Sequence, residues 1–486
     1  MADEKNDSKK ESEMEKKLSY NIDFAWSKYS EDQKSHARAF AKDYMHFLEH
    51  ARTERERVEY AESLAKEAGF KEITIGDHIS DITEGDKVYY KNRKKNIAFF
   101  IIGDGSRPIT EGVRFVGAHI DFPRVDLKIR PLYEDSKTGF ALMKTHYYGG
   151  IKKFQYATIP MALTGVVIKK DGEQVDIEMG LDPEDPVLTI PDLLIHLGGK
   201  MQSKRKPFDV IKGEEMNVLV GALESEDENA KEKFKLTVLA ILHDKYGITE
   251  DDFHSAELAL VPALPPRLVG FDKSMVGAPG QDDGSCSFLG LRAILDYEGI
   301  PPSTIGTGLF DKEEIGSNGA TGAQSAWIRH VITDLMVRTG TPETITNMHL
   351  CLSNSKILSA DVTAALDPSF GSVHDPKTAA IFGKGIVLEK FTGSRGKYNT
   401  NDAMAEFMAY LRGVFDNVGV PFQVGTLGAV DVGGGGTIAK FFAQSFNCDV
   451  VDAGVALINM HSPFEIAHIA DLYSGYLAYK AFFGAK

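Results

Sequence analysis

The sequence predicts an α/β fold, in which an open mixed sheet carries helices on both faces and is interrupted by a smaller β-rich insertion. Three observations predict it. The apolar run 304–310 reads as a buried strand and ends directly on Asp311-Lys312-Glu313-Glu314-Ile315-Gly316-Ser317. The run Val113-Arg114-Phe115-Val116-Gly117-Ala118 ends in the same way on His119-Ile120-Asp121. From about residue 131 the texture changes to short β-like segments, and alternating strands and helices resume near residue 281. Open α/β sheets collect their ligands at the carboxyl ends of strands, so both polar clusters fall where such a sheet does chemistry.

Bulk properties narrow the class. A chain of 486 residues exceeds one simple core, so two domains are expected. With 43% hydrophobic and 26% charged residues it is an ordinary globular composition. The formal net charge of -15 argues against sequence-independent nucleic-acid binding, which needs clustered Lys and Arg. Cys286, Cys351 and Cys448 are far apart and lack Cys-x-x-Cys spacing. That fits a reducing compartment and buried small side chains rather than a disulfide framework. Residues 1–18 form a charged tail of Lys, Glu, Asp and Ser without the apolar segment of a secretory signal. No apolar stretch reaches membrane-spanning length, so the expectation is a cytoplasmic protein with no membrane partner.

Along the chain, residues 30–51 and 53–68 place apolar residues at three- and four-residue spacing among many charges. This predicts two helices, the second stopped by Gly69. Residues 95–102 read as a strand closed by Gly103-Asp104-Gly105, with 113–118 as its neighbour. Within the insertion, 141–148, 157–168, 174–179, 234–244 and 255–262 read as strands. A helix over 286–298, a strand over 304–310 and a helix over 322–338 follow. Segments 348–353 and 356–360 are short and apolar, 403–417 is a helix, 449–460 a long buried strand and 466–483 a closing helix. The expected organisation is the tail at 1–18, a discontinuous catalytic domain over 19–131 and 259–486, and an inserted β-rich domain over 132–258.

Five strand-end or loop positions carry hard or borderline metal ligands: His119, Asp282, Glu314, Asp361 and His461. Two imidazoles and three carboxylates suit a two-zinc site in which one carboxylate bridges both ions. Two metals about 3.5–4 Å apart polarise a carbonyl and hold a hydroxide together. Asp121 stands where it would orient His119, and Glu313 is left free to take a proton. Taken singly, a His at a strand end is more often a hydrogen-bonded core residue, and a Glu-Glu pair is usually a solvated turn. The joint recurrence at strand ends carries the reading.

Other features carry less. Residues 371–378 end like a phosphate loop in Lys377-Thr378, but Pro376 stands where that motif needs glycine. Gly433-Gly434-Gly435-Gly436 reads as a tight turn or close backbone approach. His468 and Asp471 read as surface residues, and His374 sits in a polar loop, facing either solvent or a ligand.

In this order, His119-x-Asp121, Asp282, Asp311-x-Glu313-Glu314-x-Gly316-Ser317, Ser359-Ala360-Asp361 and Met460-His461-Ser462 resemble the M18 family of metallo-aminopeptidases, that of aspartyl aminopeptidase and aminopeptidase I. The resemblance runs over nearly the whole chain and includes Tyr148-Gly149-Gly150 and the run 190–197. It implies a zinc-dependent aminopeptidase that hydrolyses the N-terminal residue of short peptides. Two Zn2+ per subunit are implied, with Co2+ or Mn2+ as substitutes. By the resemblance Asp282 bridges the metals, His119 and Asp361 complete one site, and Glu314 and His461 complete the other. Glu313 is the implied general base toward a bridging hydroxide, and Asp121 the residue that orients His119. The insertion is implied to mediate dimerisation, and the dimers to build a dodecamer around an enclosed chamber.

The pattern departs from aspartyl aminopeptidases in three places. No His follows Tyr148-Gly149-Gly150, where Ile151-Lys152-Lys153-Phe154 stands instead. No His follows Asp361 within Val362-Thr363-Ala364-Ala365, and the bridging position reads Gln281-Asp282-Asp283. These departures resemble the bacterial aminopeptidase I branch and leave the preferred N-terminal residue open, with Lys152 or Lys153 as a donor from a neighbouring subunit. Related zinc folds also act as amino-acid deacylases or carboxypeptidases. A shell-forming protein with a retired site is a further alternative, which the intact ligand set and Glu313 speak against.

Overall fold

The computed structural model describes residues 13–77, 82–393 and 395–485, so most of the charged tail, residues 1–12, lies outside the described residues. The layering is set by alternate residues of single strands. In Asn96–Ile101, Ile97, Phe99 and Ile101 join one buried apolar cluster, whereas Ala98 and Phe100 join another. Successive side chains of a strand point to opposite faces, so a strand apolar at every position must be covered on both sides. One cover is built from the helices Glu31–His50, Gln281–Leu295, Ala405–Val418 and Ile469–Gly484. The other is built from Trp327–Arg338, Ile345–Asn354 and Ala439–Phe446. The chain has the expected mixed α/β architecture, and among the described residues no helix is long and apolar enough to cross a membrane.

Among the described residues the central sheet has nine strands. Their order is Lys71–Glu72, Lys87–Asn92, Asn96–Ile101, Ile305–Phe310, Arg114–His119, Lys356–Ala360, Asp449–Gly454, Ile386–Glu389 and Phe422–Gly425. Its middle is parallel: Phe310 pairs with His119, and Ala360 with Ala118. Three strands therefore end side by side, at His119, just before Asp311 and just before Asp361. A six-stranded antiparallel sheet contains Arg124–Asp135, Phe140–Tyr148, Met161–Ile168, Gln174–Met179, Val218–Gly221 and Ala256–Pro262. A five-stranded sheet contains Met275–Ala278, Glu465–His468 and Ala456–Ile458.

Several elements differ from expectation for identifiable reasons. Asn96–Ile101 does not neighbour Arg114–His119, because Ile305–Phe310 enters between them and pairs with both. The segment 234–244, expected as a strand, is the helix Lys233–Tyr246. Its buried residues Val238 and Leu242 are one helical turn apart, a spacing that outweighs its β-branched content. The expected long strand over 449–460 is two strands in different sheets, Asp449–Gly454 and Ala456–Ile458. At Gly454 a Cβ would meet the Asp361 carbonyl oxygen at 1.8 Å, so the chain passes there only as glycine. The closing helix starts at Ile469, after the strand Glu465–His468, and the His468 ring accepts from the Ala470 N–H at 3.0 Å. Asp471 is buried rather than at the surface: it accepts from the N–H groups of Gly383 (2.7 Å) and Gly385 (2.6 Å). Segment 348–353 lies inside the helix Ile345–Asn354.

The two N-terminal helices begin at capping boxes, with Ser30 accepting from the Gln33 N–H and Thr53 from the Glu56 N–H. The second, Glu54–Glu67, delivers the buried Arg57 to the centre of the molecule. Its guanidinium donates to the carbonyls of Ala51 (3.3 Å), Ile120 (3.1 Å) and Gly280 (2.7 Å). Ile120 follows His119, and Gly280 lies two residues before Asp282. One cation thus ties together two loops that carry candidate ligands. Replacing Arg57 by Met keeps the stem and strands three carbonyls, a loss expected to cost about 2–4 kcal/mol. Calorimetric unfolding of the metal-stripped variant checks this. An unchanged midpoint would show that the guanidinium does not hold these loops.

Candidate metal centre

The three parallel strand ends put their polar residues on one rim. Arg114–His119 ends on His119 itself. After Ile305–Phe310 the chain turns through Lys312, at a left-handed φ of 70°, into the short 3-10 turn Glu313–Ile315. Lys356–Ala360 delivers Asp361. Asp282 comes from the irregular start of Gln281–Leu295, and the peptide bond that follows it, to Asp283, is cis. His461 comes from the turn between Ala456–Ile458 and Glu465–His468, at a φ of 64°.

All five expected ligand positions converge. The Asp282 carboxylate lies between the imidazoles, Oδ1 at 3.1 Å from His119 Nε2 and Oδ2 at 3.0 Å from His461 Nε2. Asp361 Oδ1 is 3.7 Å from His119 Nε2, and Glu314 Oε2 is 3.7 Å from His461 Nε2. The ligand atoms of His119, Asp282 and Asp361 lie within 4.8 Å of one another, as do those of Asp282, Glu314 and His461. The two sets share Asp282. A separate group, His46, Glu49 and His50, is exposed on a single helix.

Buried carboxylates hold the loops from behind. Asp121 accepts from the N–H of Glu313 (3.0 Å), the N–H of Glu314 (3.2 Å) and the Tyr148 hydroxyl (2.9 Å). His119 Nδ1 faces the Asp121 backbone carbonyl at 3.0 Å, with the Asp121 carboxylate at 3.4 Å. A carbonyl only accepts, so Nδ1 of His119 bears a proton and Nε2 is the nitrogen turned toward Asp282. His461 Nδ1 has the Gly150 carbonyl at 2.8 Å, which gives that ring the same polarity. The reading of the sequence missed Glu465, which accepts from the N–H groups of Gln281 (2.6 Å), Asp282 (3.1 Å) and His461 (2.7 Å). A lone carboxylate in the otherwise apolar run Pro463-Phe464-Glu465-Ile466-Ala467 was the available signal.

The electrostatics are those of crowded, buried carboxylates. Burial, then the charges of neighbours that include Asp361, pushes Glu313 up to about 8. Burial and the Asp282 charge hold Glu314 well above its usual range, and burial likewise raises Asp361. Against burial, the two imidazoles hold Asp282 low, and burial is likewise overcome at His461, which its carboxylate partners push up to about 11. Glu314 Oε1 is buried without a hydrogen-bond partner. This donor set fits two divalent cations: each imidazole turns Nε2 toward one shared carboxylate, a further carboxylate lies beside each ring, and a buried Glu314 oxygen has no hydrogen-bond partner.

Beside His461 opens a cavity of about 430 Å³ lined by Gly150, Lys152, Lys153, Phe208 and Met460. Lys152 and Lys153 thus flank the centre of their own chain. Lys153 Nζ lies over the Tyr147 ring and 3.8 Å from Asp209. His374 follows the 3-10 turn Pro368–Val373, outside both ligand sets.

The aminopeptidase I zinc metalloprotease (M18) family matches residues 47–483. A probable M18 family aminopeptidase 1 of Clostridium acetobutylicum is 44% identical over 459 residues, which is 94% of this chain and 97% of that one. The crystal structure of an M18-family aminopeptidase from Thermotoga maritima matches with a TM-score of 0.89 at 44% identity, covering 96% of this chain and 99% of that one. The S. cerevisiae mApe1 dodecamer structure shares the fold, with a TM-score of 0.73 at 22% identity over 91% of this chain and 96% of that one.

Metal removal has a definite pH signature. Burial, ahead of neighbouring charges, raises Glu313, Glu389 and Glu465 to about 8. A carboxyl raised on folding stabilises fully below its unfolded pKa, and that contribution is lost as pH rises through the folded value. Metal-stripped protein is therefore expected to lose stability between about pH 5 and about pH 8. Zinc at a thousand times its Kd should restore roughly 4 kcal/mol for each ion bound. Unfolding midpoints across that range, with and without zinc, check both; a flat metal-free profile would contradict the buried-carboxylate account.

Proposed function

The chain belongs to the M18 family of aminopeptidase I zinc metalloproteases and is a metallo-aminopeptidase, and on that premise we propose that it removes the N-terminal residue of short peptides at a two-zinc centre. In this reading His119 and Asp361 would hold one ion and Glu314 and His461 the other, with Asp282 available to both, and Co2+ or Mn2+ would serve as substitutes. The observation that carries it is the Asp282 carboxylate between the imidazoles, at 3.1 and 3.0 Å, with one further carboxylate beside each ring. When bound, the ions would supply Lewis acidity to the scissile carbonyl and lower the pKa of an attacking water.

The chain's own residues do the rest. Glu313 takes the proton of the attacking water and passes it to the leaving amine. Its carboxylate lies within 4.8 Å of the ligand atoms of His119 and Glu314, which supports this role. Asp361 or Glu313 offers negative charge to the substrate's free amine. Asp121 orients His119 and, through the N–H groups of Glu313 and Glu314, the turn that carries the base. The cavity beside His461 receives the peptide.

The six-stranded sheet and its helices form the inserted unit, which mediates dimerisation over about residues 132–258. Support comes from the exposed Leu194 (56%), Ile195 (78%) and Leu197 (57%), apolar groups of the kind subunit interfaces bury. The mApe1 dodecamer supports a homo-oligomer, and a dodecamer built from dimers is the assembly proposed. Net charge -15 and three free cysteines support a cytoplasmic protein without a nucleic-acid partner.

A panel of aminoacyl-anilides with Asp, Glu, Leu, Met and Lys side chains, run with zinc, with chelator and beside N-acetylated controls, tests the reading. Free-amine substrates should be cut, chelator should abolish cutting, and acetylated substrates should resist. Glu313→Gln should keep both zinc ions and the assembly while turnover falls about 10²–10⁴-fold. Full turnover in that variant would remove Glu313 from the mechanism.

A further inference from the structure

Asp121 and Glu465 are buried carboxylates that hold the loops of the ligand sets through backbone N–H groups, and of these only Asp121 has a counterpart in the sequence expectations. The other is Glu465, and its three bonds are distributed unevenly. Oε2 accepts from the N–H groups of Gln281 at 2.6 Å and Asp282 at 3.1 Å, whereas Oε1 accepts from that of His461 at 2.7 Å. One carboxylate therefore spans the loop of the shared ligand and the loop of the second imidazole. Its own place is fixed by the ladder, where Glu465 pairs with Ala278, and by Gln281 Nε2, which donates to the Glu465 carbonyl at 2.6 Å. Glu465 is 1% exposed and is not in either ligand set.

We infer that Glu465 is a positioning residue that sets the Asp282–His461 spacing and with it the affinity of the metal site formed by Asp282, Glu314 and His461. The inference rests on the two-metal reading. The physical reason is that three backbone donors converge on two acceptor oxygens. An amide at this position cannot serve all three: whichever way it turns, its NH2 group faces at least one N–H. The orientation that loses least keeps the amide oxygen toward the N–H groups of Gln281 and Asp282 and turns the NH2 toward that of His461, so the loop of His461 moves off while Asp282 stays in place. The set containing His119 and Asp361 keeps its own supports, the Asp121 carbonyl and the Arg57 bond to Ile120.

The test is zinc binding to metal-stripped protein by competition with a chromophoric chelator, for wild type, Glu465→Gln and Glu465→Asp, beside the melting point of each metal-free form. Wild type should bind two zinc ions. Glu465→Gln should bind one as tightly as wild type and the other roughly 10–100-fold more weakly, the usual scale for losing an outer-sphere partner. Its metal-free melting point should stay near that of wild type. Glu465→Asp keeps the charge and both acceptors on a shorter arm, so it should recover part of the weakened affinity; it carries the test if the amide variant does not fold. Two undiminished zinc ions in Glu465→Gln would overturn the inference. So would an equal loss at both sites with a lowered metal-free melting point, which marks a merely structural group. Wild type binding no zinc would overturn the two-metal reading and this inference with it.

Discussion

Burying several carboxylates around two imidazoles is the constraint on which the rest of this molecule depends. Asp282, Glu313, Glu314 and Asp361 crowd a space that also holds His119 and His461. Desolvation and mutual repulsion oppose such a cluster, and protons alone answer it poorly: Glu313 rises to about 8 and His461 to about 11. Divalent cations answer it directly. The imidazoles are prepared for them, since each gives its Nδ1 to a backbone carbonyl and turns Nε2 toward the shared carboxylate.

The scaffold supplies convergence at low conformational cost. Parallel pairing in register makes three strands end together, so His119, the Glu313-Glu314 turn and Asp361 reach one rim without long loops. The two ligands that do not follow those strands are tied in by buried charge. Arg57 links the loop after His119 to the loop before Asp282. Glu465 links the Asp282 loop to His461, and Asp121 holds the turn carrying Glu313. In each case a charged group meets backbone dipoles, which are pre-oriented and cannot titrate away.

The six-stranded unit also reaches the centre. Its strand Phe140–Tyr148 ends with the Tyr148 hydroxyl on Asp121, and the next two residues pass against the ligands. A Cβ on Gly149 would lie 3.2 Å from Glu314 Cβ, and one on Gly150 would lie 3.5 Å from His461 Nδ1. Tyr156 then donates to the carbonyls of Pro123 (3.1 Å) and His461 (3.3 Å). A unit whose outer side carries exposed apolar residues therefore contributes, at its inner end, contacts to both imidazole loops.

The sequence by itself determined the architecture and made five candidate ligand positions legible, because local signals carry them: apolar runs that end abruptly on His119, on Asp311-Lys312-Glu313-Glu314 and on Asp361, and the polar turns around Asp282 and His461. Helices with caps and mixed spacing, such as Glu31–His50, were legible for the same reason. What failed were readings that depend on partners. Residues 234–244 look β-like until Val238 and Leu242 find a common surface, and 449–460 look continuous until Gly454 meets the Asp361 carbonyl. Only the tertiary structure decided that Ile305–Phe310 separates Asn96–Ile101 from Arg114–His119, that Asp471 is buried, and that Arg57 and Glu465 serve the centre. Most of their partners are backbone groups tens to hundreds of residues away. A backbone carbonyl or N–H has no side-chain identity, so a residue that binds one leaves little trace in the sequence of its partner.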